Sequence, residues 1–130
     1  RTDTQAPHGV LFSCIIKEYQ RNSPMRQIES QMNQAIKRGS DFRKDNTEVV
    51  NIRGNAFVYL HGNHIATVTR TYEGDSLQLF DGGWRSNTTK SRLNALCSEF
   101  AYGCGVFQKN FEWFITTRTG TVDFDSGVTV

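Results

Sequence analysis

Residues 81–94 read D-G-G-W-R-S-N-T-T-K-S-R-L-N, and no other stretch narrows the fold as much. Two consecutive glycines interrupt regular structure, because glycine reaches the left-handed backbone that tight turns need. Ser86, Asn87 and Thr88 follow, each a side chain that can cap a helix start. Leu93, Leu96, Cys97 and Phe100 then recur at i, i+3, i+4 and i+7, the spacing of one buried helix face. The preceding Leu-Gln-Leu-Phe at residues 77–80 is strand-like. A strand, a tight turn and an amphipathic helix in this order require a sheet with a helix packed against it.

Punctuation elsewhere supplies the remaining elements. Residues 10–19 have the β-branched and aromatic content of a strand. Ser23 is a candidate N-cap with Pro24 at the first helical position, and Gly39 follows Lys37 and Arg38 as a C-terminal stop. Met25, Ile28, Met32, Ala35 and Ile36 share one face of this helix over residues 24–38. Residues 39–45 read as a polar loop, and residues 49–53 as a short strand. Residues 56–60 and 65–69 form a hairpin whose Gly62-Asn63 turn sets His61 opposite His64. In that register Phe57, Tyr59, Ala66 and Val68 share the histidine face, while Val58, Leu60, Ile65 and Thr67 share the other.

The second helix is expected over residues 88–101, with Gly103 and Gly105 ending it. Residues 106–109 and 112–116 form another hairpin, with Lys109 opposite Glu112 and Phe107 opposite Phe114. Phe111 is ill suited to a two-residue turn that wants positive φ, which predicts a longer loop. Residues 121–124 are the last strand, before an Asp125-Ser126-Gly127 turn. The expected fold is α+β: an antiparallel sheet of five to seven strands with two amphipathic helices packed on it.

Composition bounds the function. At 130 residues one domain is expected, and 37% hydrophobic against 22% charged residues is the balance of a globular chain. No apolar run approaches the roughly 18 residues of a membrane span, so no membrane partner is expected. The run at residues 10–16 lacks the basic segment before it and the cleavage site after it that mark a signal peptide. A net charge of +2, from 15 basic and 13 acidic residues, is too balanced to require nucleic acid as ligand. Three cysteines, Cys14, Cys97 and Cys104, lack metal-type spacing and suit a reducing compartment.

The chemistry offered by residues 84–92 is modest. A helix start presents unpaired N–H groups that suit anions. Arg85, Lys90 and the threonine hydroxyls could complete a phosphate or carboxylate cradle, with Trp84 free to stack on a base or anchor a protein. The competing reading is a glycine turn with a packed indole and threonine caps. Lys90 and Arg92 project about 200° apart on a helix, so they cannot grip one ligand together. His61 and His64 would supply two zinc ligands with no third at recognisable spacing. No serine stands in a G-x-S-x-G elbow. An enzymatic reading would be a metal-dependent nuclease or phosphate-transfer protein built on Asp75, Asp81, His61 and His64, but acidic residues beside glycines are ordinary turn composition. No catalytic residue, metal ligand or cofactor is assigned.

The run Gly82-Gly83-Trp84-Arg85-Ser86-Asn87-Thr88-Thr89-Lys90-Ser91-Arg92-Leu93-Asn94, then Val106-Phe107-Gln108-Lys109, Glu112-Trp113-Phe114-Ile115 and Val122-Asp123-Phe124-Asp125-Ser126-Gly127, resembles a group of small bacteriophage-encoded proteins of uncharacterised function. The likeness spans residues 52–127, with residues 1–51 as a strand-helix elaboration of the same single domain. It implies a phage accessory protein in the bacterial host cytoplasm and transfers no functional residue. The expectation is therefore a non-enzymatic protein that binds a host or phage macromolecular complex, such as host-defence or nucleic-acid-processing machinery. Its binding residues would be Trp84, Arg85, Lys90, Arg92, Lys109 and Trp113. Direct nucleic-acid binding is the alternative within that class, and a metal-dependent nuclease the alternative outside it.

Overall fold

The computed structural model describes residues 25–130. The strand expected over residues 10–19 and Cys14 lie outside the described residues, as do Ser23 and Pro24, but the helix expected from residue 24 starts later, because Arg26 is extended and takes the N-cap position. Helix α1 spans Gln27–Arg38. The Arg26 N–H donates to Glu29 Oε1 at 3.2 Å, satisfying one of the amides that a helix start leaves open. Gly39 ends it in the left-handed region at φ 73°, as its position after Arg38 predicts. Met32, Ala35 and Ile36 are buried on its inner face, but Met25 precedes the helix and is exposed. Two polar residues, Glu29 and Asn33, are buried on that face as well.

A six-stranded antiparallel sheet follows: β1 (Phe42–Lys44), β2 (Thr47–Ile52), β3 (Asn55–Leu60), β4 (Asn63–Thr71) and β5 (Gly74–Leu79), with β9 (Val128–Thr129) closing the far edge. Between β5 and β9 the chain forms helix α2 (Asn87–Phe100) and a separate three-stranded sheet of β6 (Gly105–Lys109), β7 (Glu112–Thr117) and β8 (Gly120–Asp123). The fold is α+β with two helices, and a second small sheet accompanies the expected one. Strand β1 replaces the predicted loop over residues 39–45. Its three residues are too few to show a strand pattern and are held by pairing with β2, Phe42 opposite Val49 and Lys44 opposite Thr47.

The β3–β4 hairpin differs from its predicted register. Its turn is His61-Gly62, both at positive φ (53° and 79°), and Leu60 pairs with Asn63. Positive φ at both centres makes this a type I′ turn, with glycine in the second central position that this type favours. His61 therefore occupies the turn instead of facing His64. Tyr59 pairs with His64 and Val58 with Ala66, so Ile65 is the extra residue of a β-bulge. The bulge turns Ile65 and Ala66 both into the core, beside Ala56, Val58, Leu60 and Val68. Phe57, Tyr59 and His64 lie on the opposite face. The His64 ring stands 4.5 Å from Phe80 and 5.6 Å from Tyr59 between centroids, and one ring nitrogen shares a hydrogen bond with Thr67 Oγ1 at 2.8 Å.

One hydrophobic core runs through both halves of the sequence: Met32, Ile36 and Val49 pack in the same cluster as Leu77, Leu93, Leu96, Trp113 and Phe124. Helix α2 is buried at every position from Arg92 to Cys97, because α1, the large sheet and β6 surround its middle. Deleting a large apolar group there, as in Leu93→Ala, would cost about 2–5 kcal/mol. Asn94 is buried as a clamp on the inner edge of β6. Its Nδ2 donates to the Val106 carbonyl at 2.9 Å and its Oδ1 accepts the Val106 N–H at 2.8 Å. Lys109 pairs with Glu112 and Phe107 with Phe114, as the residue pattern predicts. The turn between them has two residues rather than the expected longer loop, which forces Phe111 to φ 67°.

Candidate macromolecular-binding surface

The segment after β5 is shaped by Asp81. Its Oδ1 accepts the Gly83 N–H at 2.8 Å, its Oδ2 accepts Arg85 Nε at 3.1 Å, and its carbonyl accepts the Trp84 N–H at 3.1 Å. Burial disfavours the charged form of Asp81, but the Gly83 amide, the Arg85 guanidinium and the Ser126 hydroxyl outweigh it. Together they hold the carboxyl below its ordinary value. Gly82 (φ 67°) begins the turn against the large sheet, where an added Cβ would stand 3.1 Å from Ile65 Cγ2. Ser86 caps α2 by accepting the Thr89 N–H at 3.1 Å, and Thr89 Oγ1 donates back to the Trp84 carbonyl at 3.1 Å. Thr89 thus serves as cap and packing, while the Trp84 side chain remains 71% exposed. A cavity of about 410 Å³ opens beside it, bounded by Leu60, His61, Ile65, Asp81 and Thr88.

The six sequence-derived candidates occupy three different environments. Arg85 donates through Nη2 to the Phe124 carbonyl at 3.0 Å and lies 5.5 Å from the ring centres of both Trp113 and Phe124. Lys90 reaches Gln108 Oε1 at 3.1 Å and stands 5.9 Å from the Trp113 ring. The two cations therefore do converge, but on an indole of their own chain. Trp113 is buried, packed edge-on against Phe124, and serves as a platform rather than an exposed contact. Lys109 is exposed near the tip of the β6–β7 hairpin.

Arg92 is misplaced as a surface residue by sequence reasoning. It is 3% exposed, and its Nη1 donates to Glu29 Oε2 at 2.7 Å, its Nε to Thr47 Oγ1 at 3.0 Å and its Nη2 to Asn46 Oδ1 at 3.2 Å. Ser91 Oγ donates to the same Glu29 oxygen at 2.6 Å. The cluster ties α1, α2 and the β1–β2 turn together, and no part of Arg92 is available to a ligand.

Sequence reasoning missed Phe111, which is 94% exposed at a positive φ. The signal in the sequence is its unsuitability for the turn, which points to a longer loop as readily as to a strained residue. The residues of the enzymatic reading are dispersed. Asp75 pairs with Arg70 near the start of β5, whereas Asp81 follows the end of that strand, about 20 Å away along six strand residues. Among the described residues, no three His, Cys, Asp or Glu side chains form a group that could hold a metal ion. Burial pushes the Cys97 and Cys104 thiols up, away from the reactive thiolate.

Residues 25–130 match the family described as Kyanoviridae Gp96 protein. The chain belongs to this phage family. The Gp96 match takes in α1, β1 and β2 as well as the elements after residue 52. No curated protein and no solved structure matches the chain. Among the described residues, no helix is long and apolar enough to cross a membrane.

Proposed function

We propose that this phage protein is a non-enzymatic accessory factor that docks onto a protein component of a host or phage complex through the surface carrying Trp84 and Phe111. Host-defence and nucleic-acid-processing assemblies are the partner classes. The observation that carries this reading is Phe111, a bulky apolar side chain in the left-handed region and in solvent. Such a position costs about 1–2 kcal/mol relative to glycine, and stored strain of this kind clusters at functional sites. The Lys90–Gln108 contact joins the start of α2, where Trp84 lies, to the hairpin that presents Phe111 and Lys109. Exposed aromatics of this size are the usual anchors of protein interfaces.

Direct nucleic-acid binding has less support because most of the cations in this region have internal partners. Arg85 holds Asp81 although it is itself exposed, Arg92 holds Glu29, and Lys90 holds Gln108, leaving Lys109 as the exposed cation of the set with no such partner among the described residues. The test is co-purification of the tagged protein from infected cells. A specific protein that is recovered with wild type and lost with Trp84→Ala/Phe111→Gly supports the proposal. Equal recovery with both forms removes this surface from the interaction. Nucleic-acid affinity that falls steeply with salt would transfer the assignment to direct binding.

A further inference from the structure

A second surface lies between α1 and the free edge of the large sheet. A groove of about 470 Å³ is lined on the helix side by Gln31, Gln34, Ala35 and Arg38, and on the strand side by consecutive residues 40–44. Strand β1 is the first in the sheet order, so one of its edges has no strand neighbour among the described residues. The two-residue β1–β2 turn closes on the Lys44–Thr47 pair. Arg43, one step further, therefore turns its N–H and C=O toward the open edge. The groove carries three cations, Arg38, Arg43 and Lys44, against one carboxylate. That carboxylate, Asp41, already accepts the Asn51 backbone N–H at 2.8 Å. Gln31, on the helix wall, has a buried Oε1 with no hydrogen-bond donor among the described residues, which is a costly state for a polar atom shielded from water.

We infer that this groove binds an extended acidic segment of a partner protein, added as a strand to β1. Main-chain pairing at Arg43 supplies affinity and register, and the three cations select carboxylates on the incoming segment. A peptide fits better than a nucleic acid because the open edge offers directional amide and carbonyl groups. The only aromatic lining the groove, Phe42, is packed against the core and offers no face for a base. Cations on a short edge strand also discourage unwanted pairing, and on that role alone no peptide would bind.

The test uses the full chain and a fluorescein-labelled peptide alternating glutamate and threonine, compared with its lysine-for-glutamate counterpart by fluorescence anisotropy. The acidic peptide is expected to bind and the basic one to bind at least about tenfold more weakly, with Arg43→Glu/Lys44→Glu abolishing the difference. Arg43→Pro removes the outward N–H while leaving the β1–β2 pairing, since proline is tolerated where an edge N–H faces solvent. It should also weaken the acidic peptide about tenfold. Thermal melts would verify that each variant is folded, and Lys44→Glu alone substitutes for any that is not. No binding of the acidic peptide, equal binding of both peptides, or undiminished binding to folded Arg43→Pro would overturn the inference, as would tighter binding of a single-stranded oligonucleotide.

Discussion

Lys90 and Arg92 stand two residues apart on one helix and have opposite fates. Arg92 is enclosed, with its guanidinium satisfied by Glu29, Thr47 and Asn46. Lys90 lies toward the surface, with one hydrogen bond to Gln108 and an indole beneath it. The difference extends to the regions around them. On its interior side α2 joins other elements through the polar cluster of Arg92 beside the apolar core, while its N-terminal side leads to the exposed Trp84. Charge alone therefore says little about role; what decides is which helix face meets another element.

Five substitutions separate the two regions, taken from the largest expected effect. Arg92→Ala leaves Glu29 buried without its cation and should destabilise by about 3–5 kcal/mol, read from urea denaturation. A loss below 1 kcal/mol, the range of exposed ion pairs, would mean that the cluster is not a closed interior site. Asn94→Ala strips both partners from Val106 and should cost about 2–4 kcal/mol in the same assay.

Phe111→Gly should move the other way. It relieves the left-handed strain and raises stability by about 1 kcal/mol, while weakening partner capture. Unchanged capture would leave the strain without a functional explanation. Acid titration of Asp81 addresses the turn that presents Trp84. Its folded pKa lies below the ordinary 3.8, so its contribution is complete above that value and disappears as pH falls through the lowered folded pKa. Melting curves should show wild type losing stability there relative to Asp81→Asn, and parallel curves would contradict the Gly83–Arg85 arrangement. Trp84→Ala should change stability least, by about 0.5 kcal/mol or less, as for exposed substitutions generally.

Helix α1 stopped at Gly39, and α2 formed where caps and apolar spacing placed it, because both signals act within a few residues. The β6–β7 register was legible for the same reason. Strand β1 and the β5–β9 pairing were not legible. Three and two residues carry too little periodicity, and their hydrogen-bond partners are distant in sequence or weakly patterned. The His61–His64 pairing failed through a shift of one turn position. That shift changes each pairing but leaves His64 on the face of Tyr59 and Phe57, and it is the bulge at Ile65 that carries Ala66 and Val68 to the opposite face.

For the candidate surface, Trp84 as an exposed aromatic and Arg85 with Lys90 as a convergent pair could be read from local geometry. The burial of Trp113 could not, since it depends on Phe124 arriving from beyond β8. Nor could the enclosure of Arg92, whose partners lie between 45 and 63 residues away in the chain. The sequence by itself determined the α+β class, the two helices, most of the turns and the likeness to phage proteins, all of which rest on short-range patterns. Only the tertiary structure decided which charges are interior and which aromatics face solvent, because burial depends on what distant segments bring to each face.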